Sequence, residues 1–172
     1  MCAAAMPVNF IVVDSLKFVH DRQKLAGVMP IAGFVRLAES LQSVDGNLDY
    51  GIEGDVDRQD RPMLRLHVSG VLQLQCQRCL DGFEHEVTIK TALRLVAPEA
   101  LDAAYDDNPD EADCIASSAG LDLAALIEDE VLLALPAYPR HAAGQCAART
   151  SDAGVGSAKI LAFSALAALK SK

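Results

Sequence analysis

Two cysteines separated by two residues are the strongest chemical signal in the chain. They are Cys76 and Cys79, in the run Cys-Gln-Arg-Cys, and they lie in a predicted turn between two strands. Such a turn directs both sulfur atoms at one point, which is half of a tetrahedral zinc site. The chain has five cysteines, an odd number, and its start lacks the basic residues of a secretion signal. Metal binding or reduced thiols are therefore expected rather than disulfides.

A complete structural zinc site needs two further ligands, because zinc in such sites is bound by four protein groups. The candidates at a suitable spacing are His141 and Cys146, which would complete a site for one zinc ion. They lie in an alanine-rich segment that is expected to be flexible, so the third and fourth ligands are poorly supported. The sequence therefore favours a bare pair of reduced thiols at Cys76 and Cys79. A thioredoxin-like redox pair is disfavoured, because no βαβ pattern surrounds the cysteines.

Three consecutive carboxylates, Glu128, Asp129 and Glu130, suggest acid–base or metal chemistry. Consecutive residues of a helix point about 100° apart, so the three cannot converge on one ion. We interpret them as an acidic helix face, with Glu130 nearest the apolar stripe, that is available to a basic partner. The sequence has no Walker loop, nucleophile elbow, GxGxxG turn or HExxH helix, which argues against an enzyme.

Basic residues are concentrated in the part of the chain that we predict to be a sheet. If they share one face they can contact RNA phosphates, although charged outward side chains are also ordinary on a half-exposed sheet. The net charge of −9 argues against a generic nucleic-acid coat, but residues 95–139 hold eleven of the 24 acids and no Lys or Arg. The remainder is therefore slightly positive. The candidates for RNA contact are Arg58, Arg65, Arg78 and Arg94.

An antiparallel β-meander is expected to position these residues, because apolar and polar residues alternate in three successive segments. The strands start near Leu48, Met63 and Phe83, and Gly70 is interpreted as a bulge or bend. A helix over residues 121–135, ending at Pro136, is expected to pack on the meander. The fold class is thus α+β. The predicted core comprises Leu64, Leu66, Val68, Leu72, Val87, Ile89 and Leu126 or Ile127.

The remaining predicted elements are shorter. They are a strand over residues 9–13, a helical turn over Ser15–His20 capped by Asp14, a helix over residues 31–41, an acidic loop over residues 98–111 and a short strand over residues 113–116. Residues 1–140 are predicted to form a single domain, and residues 141–172 a flexible C-terminal tail with a short amphipathic helix. No run of about 20 apolar residues is present, so we expect a cytoplasmic protein without a membrane partner.

The cysteine turn and the acidic helix together resemble the YceD family, the large ribosomal RNA subunit accumulation proteins. The resemblance is carried by residues 72–80 (LQLQCQRCL), residues 127–136 (IEDEVLLALP), the spaced His141 and Cys146, and residues 163–170 (FSALAALK). The order and spacing of these motifs hold over about the last two-thirds of the chain. Many relatives have a longer cysteine-rich C-terminal segment, whereas this chain has only His141 and Cys146 there.

The resemblance implies a non-catalytic role in the synthesis, processing or stability of the large-subunit (23S) rRNA. The implied partner is that rRNA or a ribosomal or biogenesis protein, with no small-molecule substrate. Two other classes of function stay open. One is a metal-binding protein-interaction module unrelated to rRNA, and the other is a nuclease or RNA-modifying enzyme, which would need its carboxylates to converge in a pocket.

Overall fold

A five-stranded sheet organises residues 11–107 and 113–146, which the computed structural model describes. Four strands are antiparallel and the last is parallel to its neighbour. In spatial order they are β2 (Lys24–Pro30), β3 (Asn47–Val56), β4 (Pro62–Gln75), β5 (Gly82–Val96) and β6 (Cys114–Ala116). The predicted meander corresponds to β3, β4 and β5, and the expected short strand near residue 114 is β6. The α+β prediction is confirmed.

Short helices and a second, two-stranded sheet complete the architecture. The small sheet pairs β1 (Val12–Val13) with β7 (Leu121–Asp122) in antiparallel orientation. The helices are α1 (Ser15–His20), α2 (Val35–Ala38), α3 (Leu101–Asp107) and α4 (Leu123–Ala134), with 3-10 turns at Ile31–Gly33 and Pro98–Ala100. None of the helices in the described residues is long and apolar enough to cross a membrane.

Aspartate side chains start the two helices that the sequence predicts best. Asp122 accepts hydrogen bonds from two backbone N–H groups in the first turn of α4, at 2.9 and 3.3 Å. Asp14 caps α1 in the same way, accepting from the Lys17 N–H at 2.9 Å. The last helical residue of α4 lies two positions before Pro136, in agreement with the sequence.

The core lies between one face of the sheet and the helices α1, α2 and α4. Leu64 and Leu72 of the sheet and Ile127 and Val131 of α4 are completely buried in one apolar cluster. The predicted core is confirmed except for Ile89, which is only partly buried. Because inward and outward side chains alternate along β4, Arg65 and His67 are exposed on the opposite face of the sheet.

Truncation of a core leucine tests this arrangement. We expect Leu64→Ala to lower the free energy of unfolding by about 2–5 kcal/mol, because the buried side chain leaves a cavity. Leu133 on α4 is 80% exposed, so Leu133→Ala is the control and should change stability by about 0.5 kcal/mol or less. Urea unfolding followed by circular dichroism gives both values, and equal effects of the two substitutions would contradict the assigned core.

The sheet is continuous where the sequence predicted a bulge. β4 pairs residue for residue with β3 and β5 through Gly70, which lies opposite Leu48 on one side and Val87 on the other. The bulge prediction was therefore wrong. A Cβ atom on Gly70 would lie 2.7 Å from Cδ2 of Leu48 and 2.9 Å from the backbone carbonyl oxygen of Asn47, so the close approach of β3 favours glycine there.

Two further local predictions were wrong, and one strand was missed. The expected helix over residues 31–41 is two short helical pieces, because the buried Phe34 between them is extended, with φ −95° and ψ 102°. The expected acidic loop contains α3. The edge strand β2 was not anticipated, because its sequence has only one β-branched residue, Val28. Residues 9 and 10, residues 108–112, and the predicted linker and amphipathic helix beyond residue 146 lie outside the described residues.

Candidate metal centre

Four potential metal ligands come together beside the turn between β4 and β5. The ligand atoms of Cys76, Cys79, His141 and Cys146 all lie within 4.8 Å of one another. The Sγ atoms of Cys76 and Cys146 are 3.6 Å apart, and Nδ1 of His141 is 3.4 Å from Cys79 Sγ and 3.7 Å from Cys146 Sγ. Zn–S bonds of about 2.3 Å in a tetrahedron place sulfur atoms about 3.8 Å apart. The four side chains are thus close enough to bind one ion, which corrects the expectation of a bare cysteine pair.

The β4–β5 turn positions the first two ligands. The Cys76 N–H donates to the carbonyl of Asp81 at 2.9 Å, and the Leu80 N–H donates to the carbonyl of Cys76 at 2.9 Å. Leu80 has φ of 65°, the left-handed conformation that closes the turn. Both cysteines are buried as a result, Cys76 completely and Cys79 with 3% of its surface exposed.

Three contacts attach the chain segment that carries the other two ligands. The Gln77 N–H donates to the carbonyl of Pro139 at 2.9 Å. Nη2 of Arg78 donates to the carbonyl of His141 at 3.1 Å. The ring of Phe83 lies 5.0 Å from the His141 imidazole, centroid to centroid. The β4–β5 turn therefore fixes both the backbone and the ring of the histidine.

A tight turn brings the chain back from His141 to Cys146. The Gln145 N–H donates to the carbonyl of Ala142 at 3.1 Å. Gly144 has φ of +84°, where glycine is strongly favoured. A Cβ atom there would have no neighbour within 4 Å, so the backbone conformation rather than space selects glycine. The turn in the alanine-rich segment therefore brings Cys146, the fourth ligand, beside the other three.

The surroundings give the two cysteines of the turn different proton affinities. Burial opposes ionisation of Cys76, but hydrogen bonds from three backbone N–H groups, first that of Cys79, lower the pKa of its thiol to about 5. The backbone of Asp81 favours the Cys79 thiolate, but burial and the neighbouring thiols raise the pKa of Cys79 to about 11. Because the thiolate is the metal ligand, metal binding must displace the proton of Cys79.

The acidic residues of α4 do not converge on a pocket. Glu128 is 8% exposed, and its Oε1 accepts hydrogen bonds from the backbone N–H groups of Arg36 at 2.7 Å and Leu37 at 3.0 Å. Its Oε2 accepts from Nε of Arg36 at 3.0 Å, and the exposed Asp129 forms an ion pair with the same arginine. Burial, with the neighbouring carboxylates, raises the pKa of Glu130. Glu128, not Glu130, is thus the acid against the core, contrary to the sequence prediction.

The four arginines expected to contact RNA have different surroundings. Arg58 is exposed in the β3–β4 turn, and Arg78 is exposed beside the metal centre. Arg65 is exposed on β4, where its Nε is 2.9 Å from an oxygen of Asp55. Arg94 is only 9% exposed, and its guanidinium donates to Cys114 Sγ and to a carbonyl of α3. Arg94 is therefore not presented as a surface contact.

Sequence reasoning missed two basic residues that form ion pairs in the structure, Arg36 and Lys24. Arg36 holds Glu128 across 92 residues of sequence, and such a distant pair leaves no local signal. Lys24 lies on the unpredicted strand β2, and its Nζ is 3.0 Å from an oxygen of Glu53. Lys24 was missed because its strand was not recognised, whereas Arg36 was missed because its partner is distant in sequence.

Comparison with known proteins identifies the family. The family model described as large ribosomal RNA subunit accumulation protein YceD matches residues 64–170. The protein of that name from Haemophilus influenzae is 28% identical over 136 residues, which cover 78% of this chain and 76% of the relative. No solved structure is a significant match. Since the family model covers more than half of its length, the chain belongs to the YceD family of large ribosomal RNA subunit accumulation proteins.

Proposed function

We propose that this protein supports the accumulation of large-subunit (23S) rRNA in the cytoplasm as a non-catalytic factor. The observation that carries the proposal is the family match over residues 64–170. The matched region includes both halves of the Cys/His centre and the whole of α4. The family and the relative from Haemophilus influenzae are both named for accumulation of the large ribosomal RNA.

The geometry of the candidate metal centre favours a structural role for a bound ion. Four protein side chains would fill the tetrahedral coordination of zinc, whereas catalytic zinc sites keep one position for water or substrate. Bound here, zinc would supply a cross-link between the β4–β5 turn and the segment from Pro139 to Cys146. The protein's own contacts to this segment already align it with the turn.

The placement of the carboxylates also favours a non-catalytic function. A metal-dependent RNA hydrolase needs acidic groups that converge on its metal ions. Glu128 instead holds α2 through two backbone N–H groups. Within residues 11–107 and 113–146, the Cys/His centre is the one group of three or more potential ligands that could hold a metal ion.

Two exposed surfaces are available to the partners that this function requires. Arg58, Arg65 and Arg78 carry positive charge on the sheet and its turns and are candidates for contact with RNA phosphates. Asp129 and the partly buried Glu130 form an acidic surface on α4 that suits a basic ribosomal protein. Glu128 contributes to this surface only indirectly, by fixing α2.

Deletion of the gene in the source organism tests the proposal. We expect the amount of large-subunit rRNA to fall relative to small-subunit rRNA, and sedimentation to show fewer complete large subunits. Expression of the wild-type protein in the deletion strain should restore both. An unchanged rRNA ratio together with full metal loading of the purified protein would contradict the proposal and favour the metal-binding interaction module unrelated to rRNA.

A further inference from the structure

The outer face of the five-stranded sheet contains a shallow cavity of about 600 Å³ that extends across β2, β3, β4 and β5. Small residues form its floor, because Ala26, Gly51 and Ala92 lie on three of these strands. A Cβ atom on Gly51 would meet nothing within 4 Å, so the floor is open to solvent. The cavity lies on the face opposite the apolar core, since side chains alternate along each strand and Ile52 and Leu66 face the core.

The charge of this cavity is opposite to that of the whole protein. The chain has a net charge of −9, yet Lys24, Arg65 and Lys90 line the cavity against a single acid, Glu53. His67 lies directly opposite Lys90 in the β4–β5 pairing and adds an imidazole N–H donor. The cavity is therefore suited to an anionic ligand.

The basic side chains of the cavity are available for a new partner. The side chains of Lys24 and Arg65 both pair with acids near the surface, Lys24 Nζ at 3.0 Å from the exposed Glu53 and Arg65 Nε at 2.9 Å from the half-buried Asp55. Such surface ion pairs contribute little stability, so a phosphate can replace the carboxylates at small cost. The side chain of Lys90 forms neither a hydrogen bond nor an ion pair with any residue in the described part of the chain.

We propose that this cavity binds the sugar–phosphate backbone of RNA. The inference rests on the proposed function and names the surface through which the protein would bind RNA. Four adjacent strands span about 14 Å, which allows Lys24 at one side and Lys90 at the other to contact different phosphates of one strand of RNA. No Phe, Tyr or Trp lines the cavity, so bases have no aromatic platform on which to stack. Recognition through phosphates makes the binding sensitive to salt and tolerant of sequence.

Binding of labelled transcripts that tile the large-subunit rRNA of the source organism tests this surface with the full-length, metal-loaded protein. We expect Lys90→Glu to weaken binding about tenfold at low salt and to reduce the slope of log affinity against log salt by about one. Lys17 is exposed on α1, on the other side of the sheet, so Lys17→Glu is the matched control and should leave affinity within about twofold of wild type.

Substitution of the cavity floor provides a second test with its own control. Gly51→Glu introduces a negative charge where a side chain has free space, whereas Gly51→Gln adds the same volume without charge. We expect the glutamate variant to bind RNA about tenfold more weakly than the glutamine variant. Thermal unfolding checks that each variant is folded, and agreement of Lys90→Glu with Gly51→Glu would support the cavity.

Three outcomes separate this proposal from the proposed function. Wild-type affinity of folded Lys90→Glu and Gly51→Glu would overturn the cavity as the RNA site. A wild-type protein that restores rRNA levels in the deletion strain but binds no transcript would also overturn it, with the proposed function intact and a protein as partner. An rRNA ratio that does not change on gene deletion would instead overturn the proposed function, whatever the binding results.

Discussion

Cys76→Ser is expected to abolish metal binding by the protein. We expect the wild-type protein, purified under reducing conditions with zinc present, to carry about one zinc ion per chain and the variant almost none. The loss follows because serine supplies a neutral hydroxyl in place of a thiolate, which removes one of the strong ligands and leaves its position to water. Thermal unfolding should also shift to lower temperature, because metal affinity for the native state is folding free energy. Mass spectrometry of the metal content and a melting curve measure the two effects.

Cys114 provides the matched control for this substitution. It is buried, with 4% of its surface exposed, and contacts Arg94 rather than the metal centre. Cys114→Ser should therefore retain the zinc. Acidification supplies an independent check, since protons compete with zinc for the thiolates and zinc should dissociate as the pH falls. A wild-type protein without metal after zinc addition would contradict the site.

Glu128→Ala is expected to cause the largest loss of stability among substitutions of charged residues. The carboxylate joins α4 to α2 through the backbone N–H groups of Arg36 and Leu37 and through the Arg36 side chain. Its removal leaves a buried N–H group without its acceptor and the arginine without its main partner. We expect a decrease of about 3–5 kcal/mol in the free energy of unfolding, measured by urea denaturation.

Asp129→Ala is the control, because Asp129 contacts the same arginine from an exposed position. It should cost about 1 kcal/mol or less. Glu128→Gln keeps one acceptor oxygen but loses the charge, and its effect should lie between the other two. If Glu128→Ala and Asp129→Ala destabilise equally, the contact between α2 and α4 does not depend on the buried carboxylate.

The central sheet could be predicted because its signal is local. Alternation of apolar and polar residues is a property of each strand, and the β3–β4–β5 meander reproduces the sequence pattern with continuous registers. Gly70 was misread because a glycine in a strand indicates either a bulge or a close approach of neighbouring atoms. Only the position of Leu48 on the next strand distinguishes these two explanations.

The candidate site could be predicted only in part, because its second half depends on contacts distant in sequence. Cys76 and Cys79 are visible as a pair, but the approach of His141 depends on the hydrogen bond between Gln77 and Pro139. The burial of Arg94 could not be predicted for the same reason, because it depends on a contact with another element. The alternation places it correctly on the outer face of β5, but α3 covers it, and an acidic segment gives no local sign that it will fold back over the sheet.

The pairing of β1 with β7 has a consequence for folding during synthesis. Ser15 and Ser118 exchange hydrogen bonds of 2.9 Å across 103 residues of sequence, and the Leu123 N–H donates to Ile11. At translation rates of 5–20 residues per second, the second strand follows the first after roughly 5–20 s. Throughout that interval the apolar residues that α4 later covers have no partner helix. The separation of β1 and β7 along the chain therefore makes closure of the N-terminal segment a late event, completed only after β7 has left the ribosome.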